Sequence, residues 1–366
     1  MDAKLKFAST ADEKQTIFRF RYEIYVNEMD RYHGIADHKH RMLIEDVDAS
    51  SRFLYADLGG EIVGAMRWTW GGDARFDGPH IEQYSLQPFI DTLPIEQMII
   101  GERFMVSRDH RGSDLLSRMF ERYMDFCNQH RIQLVFGDCE PHLLNLYLGL
   151  GFRTYSERNI SNPETGYLIP LVLVTEDIAY MQQIGSPMAK VLKDFGGSNR
   201  VPVNLDELIQ DSAVLSERLA NRETYWESLS DTFKMIGQCK FSLFDNLNKN
   251  VIQPFLDKSN VIECLAGDQV LKQGNVAHNM FVVLEGVLEV RVKGKAVARL
   301  ERGDLLGEFA FLLGIPRSAD VYAITDGTTI LSLSETTVRE HIEEDPKVAA
   351  QMILNIAKIL CQKLVA

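Results

Sequence analysis

Two side chains near the C-terminus, Glu308 and Arg317, stand at a spacing suited to holding one class of ligand. They lie in the run Gly307-Glu308-Phe309-Ala310-Phe311-Leu312-Leu313-Gly314-Ile315-Pro316-Arg317-Ser318-Ala319-Asp320-Val321. Phe309 to Leu313 are good helix formers, so Gly307-Glu308 is expected to open a short helix whose first amide N–H groups favour an anion. Arg317 follows one apolar turn later, after Pro316, where a fork of donors can grip phosphate oxygens bidentately. Glu308 cannot share that phosphate, because like charges repel, so its carboxylate is left to accept from hydroxyls such as those of a ribose. One guanidinium for one negative charge, one acceptor for a sugar and a helix start together describe a cyclic nucleotide pocket. The competing reading, a surface ion pair on a cupin-like barrel, would need neither the Gly-Glu helix start nor the Pro-Arg pair.

The run resembles the phosphate-binding cassette of cyclic nucleotide-binding domains, as found in kinase regulatory subunits and bacterial catabolite activators. The resemblance covers about 125 residues, from Phe241 to Ala366, and includes Gly267, Gly274, Gly286 and Gly303 between short strands. It implies a cassette of Gly307, Glu308, Phe309, Ala310, Arg317, Ser318 and Ala319, with Glu308 on the ribose 2′-hydroxyl and Arg317 on the cyclic phosphate. The effector would be cyclic AMP or cyclic GMP, since Ser318 suits either. Asp320 departs from the pattern, which usually has an uncharged residue there, and an acid near a phosphate is expected to weaken anion binding.

The elements needed to carry this site are readable. Val270-Leu271, Met280 to Leu284, Leu288 to Val292 and Ala296 to Leu300 alternate or run apolar between glycine turns, as an all-β jelly-roll-type barrel requires. Pro346 to Leu364 carries Val348, Met352, Ile356, Ile359 and Leu360 on one helical face, which predicts a terminal helix, and the resemblance implies that this helix closes over the purine. Upstream, residues 1–185 alternate helix and strand signals. Thr10-Ala11-Asp12-Glu13 is a capping box, and Gly59-Gly60 is a two-residue turn between Phe53 to Asp57 and Ile62 to Trp68. Ile99 to Val106 and Leu134 to Asp138 read as strands, Gly112 to His130 as an amphipathic helix, Leu143 to Leu150 as a short helix ended by Gly151, and Leu168 to Val174 as a last strand. Phe195 to Pro202 is a break rich in turn formers. Residues 186–240 are expected to form a helical linker, with Leu205, Leu208, Ile209, Val214, Leu215 and Leu219 at helical spacing. The expected division is therefore 1–185, 186–240 and 241–366.

The order of elements in the first part resembles a GNAT acyltransferase, a mixed sheet with flanking helices, and Asn145-Leu146-Tyr147-Leu148-Gly149-Leu150-Gly151-Phe152 resembles that family's late helix. The resemblance implies transfer of an acyl group from a thioester donor, acyl-CoA or acyl carrier protein, to an amine. Tyr147 would protonate the leaving thiolate, and Glu102 would take a proton from the acceptor's ammonium. Arg111, Gly112 and Ser113 would hold the donor's phosphates, although Asp114 and Leu116 replace small residues of that pattern. Phe20 to Val26, Glu45-Asp46-Val47-Asp48, Arg67 and Glu102-Arg103-Phe104 look like the autoinducer-synthase and N-acyl amino acid synthase branch. That branch makes Arg21, Asp46, Asp48 and Arg67 residues of the acceptor site. The acceptor, a protein lysine or a small amine, is not specified, and a GNAT fold that senses nucleotide without catalysing is the rival reading.

Composition bounds the rest. The chain has 366 residues, 45% hydrophobic and 25% charged, enough for two or three ordered domains. A formal net charge of -13 argues against nucleic acid or an anionic membrane surface as a partner. No apolar run approaches the length of a membrane span, and no signal peptide pattern opens the chain. The cysteines Cys127, Cys139, Cys239, Cys264 and Cys361 are odd in number and lack a Cys-x-x-Cys, which suits reduced thiols and a cytoplasmic location. His38-Lys39-His40 has no companion ligands at metal spacing, so no metal site is expected.

Overall fold

The computed structural model describes residues 3–156, 159–162, 164–194, 214–215, 243–247, 252, 259–276 and 279–365. Packing divides the chain into two units. The first comprises Met1–Asp138, Tyr147–Tyr155 and Pro170–Gln210, and the second Cys139–Leu146, Ser156–Ile169 and Asp211–Ala366. Among the described residues no helix is long and apolar enough to cross a membrane.

The N-terminal part is a mixed α/β structure. Strand β1 (Lys4–Phe7) leads to helix α1 (Ala11–Tyr22), which continues as a π-helical turn over Glu23–Glu28. The capping box at Thr10 forms in full, with Glu13 N–H donating to the Thr10 hydroxyl and Glu13 accepting from the Thr10 N–H. Strands β2 (Arg52–Leu58) and β3 (Glu61–Trp70) flank the Gly59-Gly60 turn, where both residues have positive φ, 67° and 96°. Then come α2 (Gly78–Gln83), α3 (Gln87–Ile90), β4 (Met98–Val106), α4 (Leu115–Gln129) and β5 (Leu134–Cys139). They are followed by α5 (Leu144–Leu150), β6 (Arg153–Thr154), β7 (Ile160–Asn162), β8 (Gly166–Val174), α6 (Ile178–Gln183) and α7 (Met188–Asp194). The sheet order is β1-β2-β3-β4-β5-β8-β6, with β7 paired to β8. Every residue of β8 is buried, as its unbroken apolar run requires of a central strand.

Two irregularities in this sheet shape the site. Strands β4 and β5 are parallel, and their pairing covers Met98↔Leu134, Ile99↔Val135 and Ile100↔Phe136, after which β4 runs on to Val106. On its other edge β4 slips register against β3 between Ala65 and Arg67, where Arg103 has φ 54°. The slip is a bulge, which re-aims neighbouring side chains. Glu102 and Arg103 therefore sit where β4 has left β5.

The C-terminal part of the chain is β-rich. Its strands are β9 (Val214–Leu215), β10 (Asn260–Cys264), β11 (Gln269–Leu271), β12 (Asn279–Glu285), β13 (Leu288–Val292), β14 (Lys295–Leu300), β15 (Leu305–Leu306), β16 (Asp320–Ala323) and β17 (Thr328–Ser334). They form two antiparallel sheets, β15-β12-β17-β10-β9 and β11-β16-β13-β14. Helix α8 (Glu308–Leu313) follows β15, and α9 (Glu335–Glu344) and α10 (Pro346–Val365) end the chain. Met280, Val282 and Leu284 alternate into one core with Leu331 and Leu333 of β17, and Met352, Ile356 and Ile359 of α10 close it. At about 1.5–3 kcal/mol for each fully buried aliphatic chain, those three residues dock α10 firmly.

Two expectations change. The helix expected from Gly112 begins at Leu115, because Gly112 has φ 79° and Arg108–His110 is a separate 3-10 turn. Within the expected helical linker, Val214–Leu215 instead pairs antiparallel with Val261 and Ile262 as a strand. Two β-compatible apolar residues next to an open sheet edge gain ladder bonds that an isolated turn of helix does not offer. The break at Phe195 to Pro202, the other linker positions (Leu205, Leu208, Ile209, Leu219) and Cys239 lie outside the described residues.

Candidate functional site

The C-terminal site is built at the junction of β15 and α8. Gly307 caps α8 in a left-handed conformation, φ 79°, and Gly314 closes it with φ 64°. A side chain at Gly307 could not be placed, since its Cβ would lie 2.2 Å from Nη1 of Arg317. Arg317 is 3% exposed. Its Nη1 donates to the Gly307 carbonyl at 2.7 Å, and its Nη2 donates to the Asn279 carbonyl at 2.5 Å and to Asn279 Oδ1 at 2.7 Å. The guanidinium is thus fixed before any ligand arrives. Glu308, also 3% exposed, accepts from Lys363 Nζ of α10 at 2.8 Å, and the same ammonium donates to the Leu305 carbonyl at 2.6 Å. A shallow cleft opens beside Arg317, lined among others by Val270, Leu271, Lys272, Asn275, Asn279 and Phe281.

Asp320 is placed by hydrogen bonds to the turn after β11. Its Oδ1 accepts from the Gln273 N–H at 2.8 Å and from Gln269 Nε2 at 3.0 Å, so the carboxylate caps the turn after β11. Phe309 and Ser318 are exposed, Ala319 is half-buried, and Ala310 is buried against the barrel.

The first unit carries a closed ring of charge. Arg21, fully buried, donates to Asp48 at 2.7 and 3.1 Å. Arg67 Nη1 donates to Asp48 at 2.9 Å and to Glu45 at 2.7 Å, while its Nη2 donates to Glu102 at 2.8 Å. Arg103 Nε donates to Glu45 at 2.8 Å, its Nη2 donates to the other Glu45 oxygen, and its Nη1 donates to the Tyr32 hydroxyl at 2.6 Å. Three guanidiniums face three carboxylates, so the ring is neutral and its burial is affordable. Burial alone would raise the Glu45 pKa, but its Arg103 hydrogen bond and the charges of Arg103, Arg67 and Arg21 outweigh it and hold the carboxyl at about 2. Burial pulls Arg21 below its usual range against the opposing pull of Asp48.

Arg21, Asp48, Arg67 and Glu102 are therefore brought together, and Asp46 is not. Asp46 is exposed at the first position of a 3-10 turn, Asp46–Ala49, whose cap is Glu45. The Glu45 N–H donates to Asp48 at 2.7 Å, which turns residues 45 and 48 inward together and leaves Asp46 outside. Glu45 replaces Asp46 in the ring. Arg103 and Tyr32 also belong to it; the signal that pointed at Glu102 could have found Arg103, its neighbour, while Tyr32 had none.

Tyr147 is half-buried on α5, edge-on to Phe152 at 5.4 Å. Of the donor loop, Arg111 holds Glu28 through two bonds of 2.5 and 3.0 Å and donates from Nε to the Val106 carbonyl at 3.0 Å. The Ser113 hydroxyl donates to the His110 carbonyl at 2.6 Å and accepts from the Leu115 N–H at 3.3 Å, so it caps the start of α4. Asp114 is exposed there. Among the described residues no group of histidine, cysteine and carboxylate side chains is arranged to hold a metal ion.

Residues 261–345 match the family model of the cyclic nucleotide-binding domain. A Pycsar effector protein of Xanthomonas perforans, XpPycTIR, is 32% identical over 104 residues, covering 28% of this chain and 34% of that protein. The cGMP-dependent protein kinase egl-4 of Caenorhabditis elegans is 31% identical over 121 residues, covering 31% of this chain and 15% of the kinase. The chain thus spans about a third or less of these relatives. Among solved structures, a cyclic nucleotide-binding domain from Methylobacillus flagellatus aligns with 18% identity and a TM-score of 0.35, over 42% of this chain and 84% of that one. BjaI, a CoA-dependent acyl-homoserine lactone synthase solved with SAM and isopentyl-CoA, aligns with 18% identity and a TM-score of 0.39, over 54% of this chain and 92% of that one. With its glycine-started helix, its buried Arg317 and its β-sandwich, the C-terminal part of this chain is a cyclic nucleotide-binding domain.

Proposed function

We propose that the protein is an N-acyltransferase whose activity is set by a cyclic nucleotide, cyclic AMP or cyclic GMP. The observation that carries the enzymatic half is the parting of β4 from β5 after Ile100, with Glu102 two residues beyond it. We assign the amides of a pantetheine-like thiol arm of the donor to the strand edges beyond the end of this ladder. Such an arm would bring a thioester to the carboxylate of Glu102 and the ring that fixes it. Arg67 holds Glu102 in place; Arg21, Asp48 and Glu45 hold Arg67. Arg111, Gly112 and Ser113 stand where α4 starts and are assigned the donor's phosphates, and Tyr147 the leaving thiolate. In the nucleotide domain Arg317 takes the cyclic phosphate and Glu308 the ribose 2′-hydroxyl, which competes with Lys363 for the same carboxylate.

A second reading, a nucleotide-sensing switch without catalysis, is favoured by two observations. Arg111 is already committed to Glu28, and Asp114 adds an exposed anion at the start of α4. The test is thiol release from acetyl-CoA, longer acyl-CoAs and acyl carrier protein with a panel of amines. Turnover with any donor supports the enzyme, and none with all of them supports the switch.

A further inference from the structure

His80 lies outside every role assigned so far, yet it faces Glu102. The residue belongs to the first turn of α2, whose cap is Asp77. Asp77 Oδ1 accepts from the His80 N–H at 2.8 Å and lies 2.9 Å from the ring Nδ1. The other ring nitrogen, Nε2, lies 3.8 Å from Glu102 Oε2. The side chains of His80 and Glu102 are 12% and 16% exposed, so both keep some contact with solvent. The Tyr84 ring, one helical turn on, lies nearly parallel to the imidazole with centroids 6.4 Å apart, and its hydroxyl is held by Asp138 at 2.6 Å. The groups facing the imidazole are therefore Asp77 and Tyr84 from its own element, and Glu102 with its partner Arg67 from the sheet.

We propose that His80 is the general base of the transfer reaction, with Asp77 drawing the ring proton to Nδ1 by its charge and Glu102 seating the acceptor's ammonium. This rests on the acyl-transfer reading above. Arg67 already donates to Glu102 Oε2, which commits that carboxylate to a buried guanidinium and suits it to holding a cation rather than removing its proton. Imidazole, whose ordinary pKa lies close to neutrality, is better matched to that task. The Asp77 carboxylate oxygen, 2.9 Å from Nδ1, favours a proton on Nδ1 by its charge and leaves the Nε2 lone pair to act as the base. A gap of 3.8 Å between two acceptors is too long for a direct bond, yet one ammonium nitrogen can stand at about 2.8–3.0 Å from both.

The protons balance as follows. The acceptor R–NH3⁺ gives one proton to His80 Nε2, and the imidazolium formed lies between Asp77 and Glu102. The amine nitrogen attacks the thioester carbonyl carbon, the C–N bond forms, and the C–S bond breaks. The second nitrogen proton ends on the departing thiolate, by way of Tyr147 in the assignment above. His80 then returns its proton to water.

The experiment pairs kinetics with a readout that needs no turnover. In wild type, thiol release at saturating nucleotide is followed against pH, beside His80→Gln and Asp77→Asn. His80→Gln is expected to lose about 10²–10⁴-fold in kcat/KM together with the acid limb of the profile, and Asp77→Asn a smaller part of the same. The wild-type ring tautomer, read by nitrogen-15 NMR in the full chain, is expected to be Nδ1–H. Equal kcat/KM in wild type and His80→Gln overturns this proposal and leaves the transferase reading standing, as does an Nε2–H tautomer. A wild type silent with every donor removes both.

Discussion

Removing the guanidinium of Arg317 is expected to cost most of the cyclic nucleotide affinity. The side chain is held in place by three acceptors, the carbonyls of Gly307 and Asn279 and the Asn279 side-chain oxygen, at 2.5–2.7 Å. Its rotamer entropy, up to about 2 kcal/mol for a free arginine, is therefore spent on folding rather than on binding. A cyclic phosphate carries a single charge, and hydrogen bonds to charged groups contribute about 1.5–3 kcal/mol each. Because losing one partner is offset in part by water, Arg317→Ala is expected to lose about 2–4 kcal/mol, or 30- to 1000-fold in Kd. Arg317→Lys keeps the charge but not the fork, so its loss should fall between wild type and alanine. Calorimetry with cyclic AMP and cyclic GMP measures both, and a melting curve of each variant separates lost binding from the lost cap on Gly307. An Arg317→Ala protein that melts like wild type and binds within threefold of it would refute the reasoning. So would a wild type that binds neither nucleotide below about 1 mM.

Lys363→Met removes the cation that holds Glu308 in the unliganded state, so a ribose hydroxyl no longer competes with it. The 30% exposure of the Lys363 side chain limits the gain to about 1 kcal/mol, or up to about fivefold tighter binding by calorimetry, and weaker binding contradicts the assignment of Glu308. Glu45 ties stability to acid: its folded pKa of about 2 lies below the ordinary 4.5, so the folded state holds fewer protons between those values. That stability is fully present above pH 4.5 and lost as pH falls toward 2, by about 3 kcal/mol at most. Urea melts at neutral and acid pH should show a steeper loss for wild type than for Glu45→Gln, and equal slopes would remove Glu45 from the ring. Tyr147→Phe removes a proton without changing shape and should slow thiol release about 10²–10⁴-fold; an unchanged rate returns Tyr147 to packing against Phe152.

What could be read from the chain depended on the distance over which each feature is specified. The capping box at Thr10, the Gly59-Gly60 turn, the alternation Met280-Val282-Leu284 and the face Met352-Ile356-Ile359 are local patterns, and each forms where its spacing placed it. The helix start at Gly307-Glu308 is equally local, whereas the burial of Arg317 depends on Asn279, 38 residues away. Nor is the charge ring local. Arg103 reaches Glu45 across 58 residues and Tyr32 across 71, which no spacing rule can supply. Asp46 was favoured over Glu45 because both stand in one acidic run, and only the cap at residue 45 decides which carboxylates turn inward. His80 lay hidden for the same reason, since its meaning comes from β4, which is placed by tertiary pairing. Val214–Leu215 shows the opposite case, a short run whose helical spacing yields to an available strand edge.

Coupling between nucleotide and chemistry is the central claim, and turnover of the full chain tests it most directly. Thiol release from the best acyl donor and amine is measured with and without saturating cyclic nucleotide, in wild type and in Arg317→Ala. A coupling free energy of about 1–3 kcal/mol would change turnover 5- to 150-fold in wild type, and Arg317→Ala at the same nucleotide concentration should not respond. Turnover that is identical with and without either nucleotide, in a protein that calorimetry shows to bind it, would contradict the account.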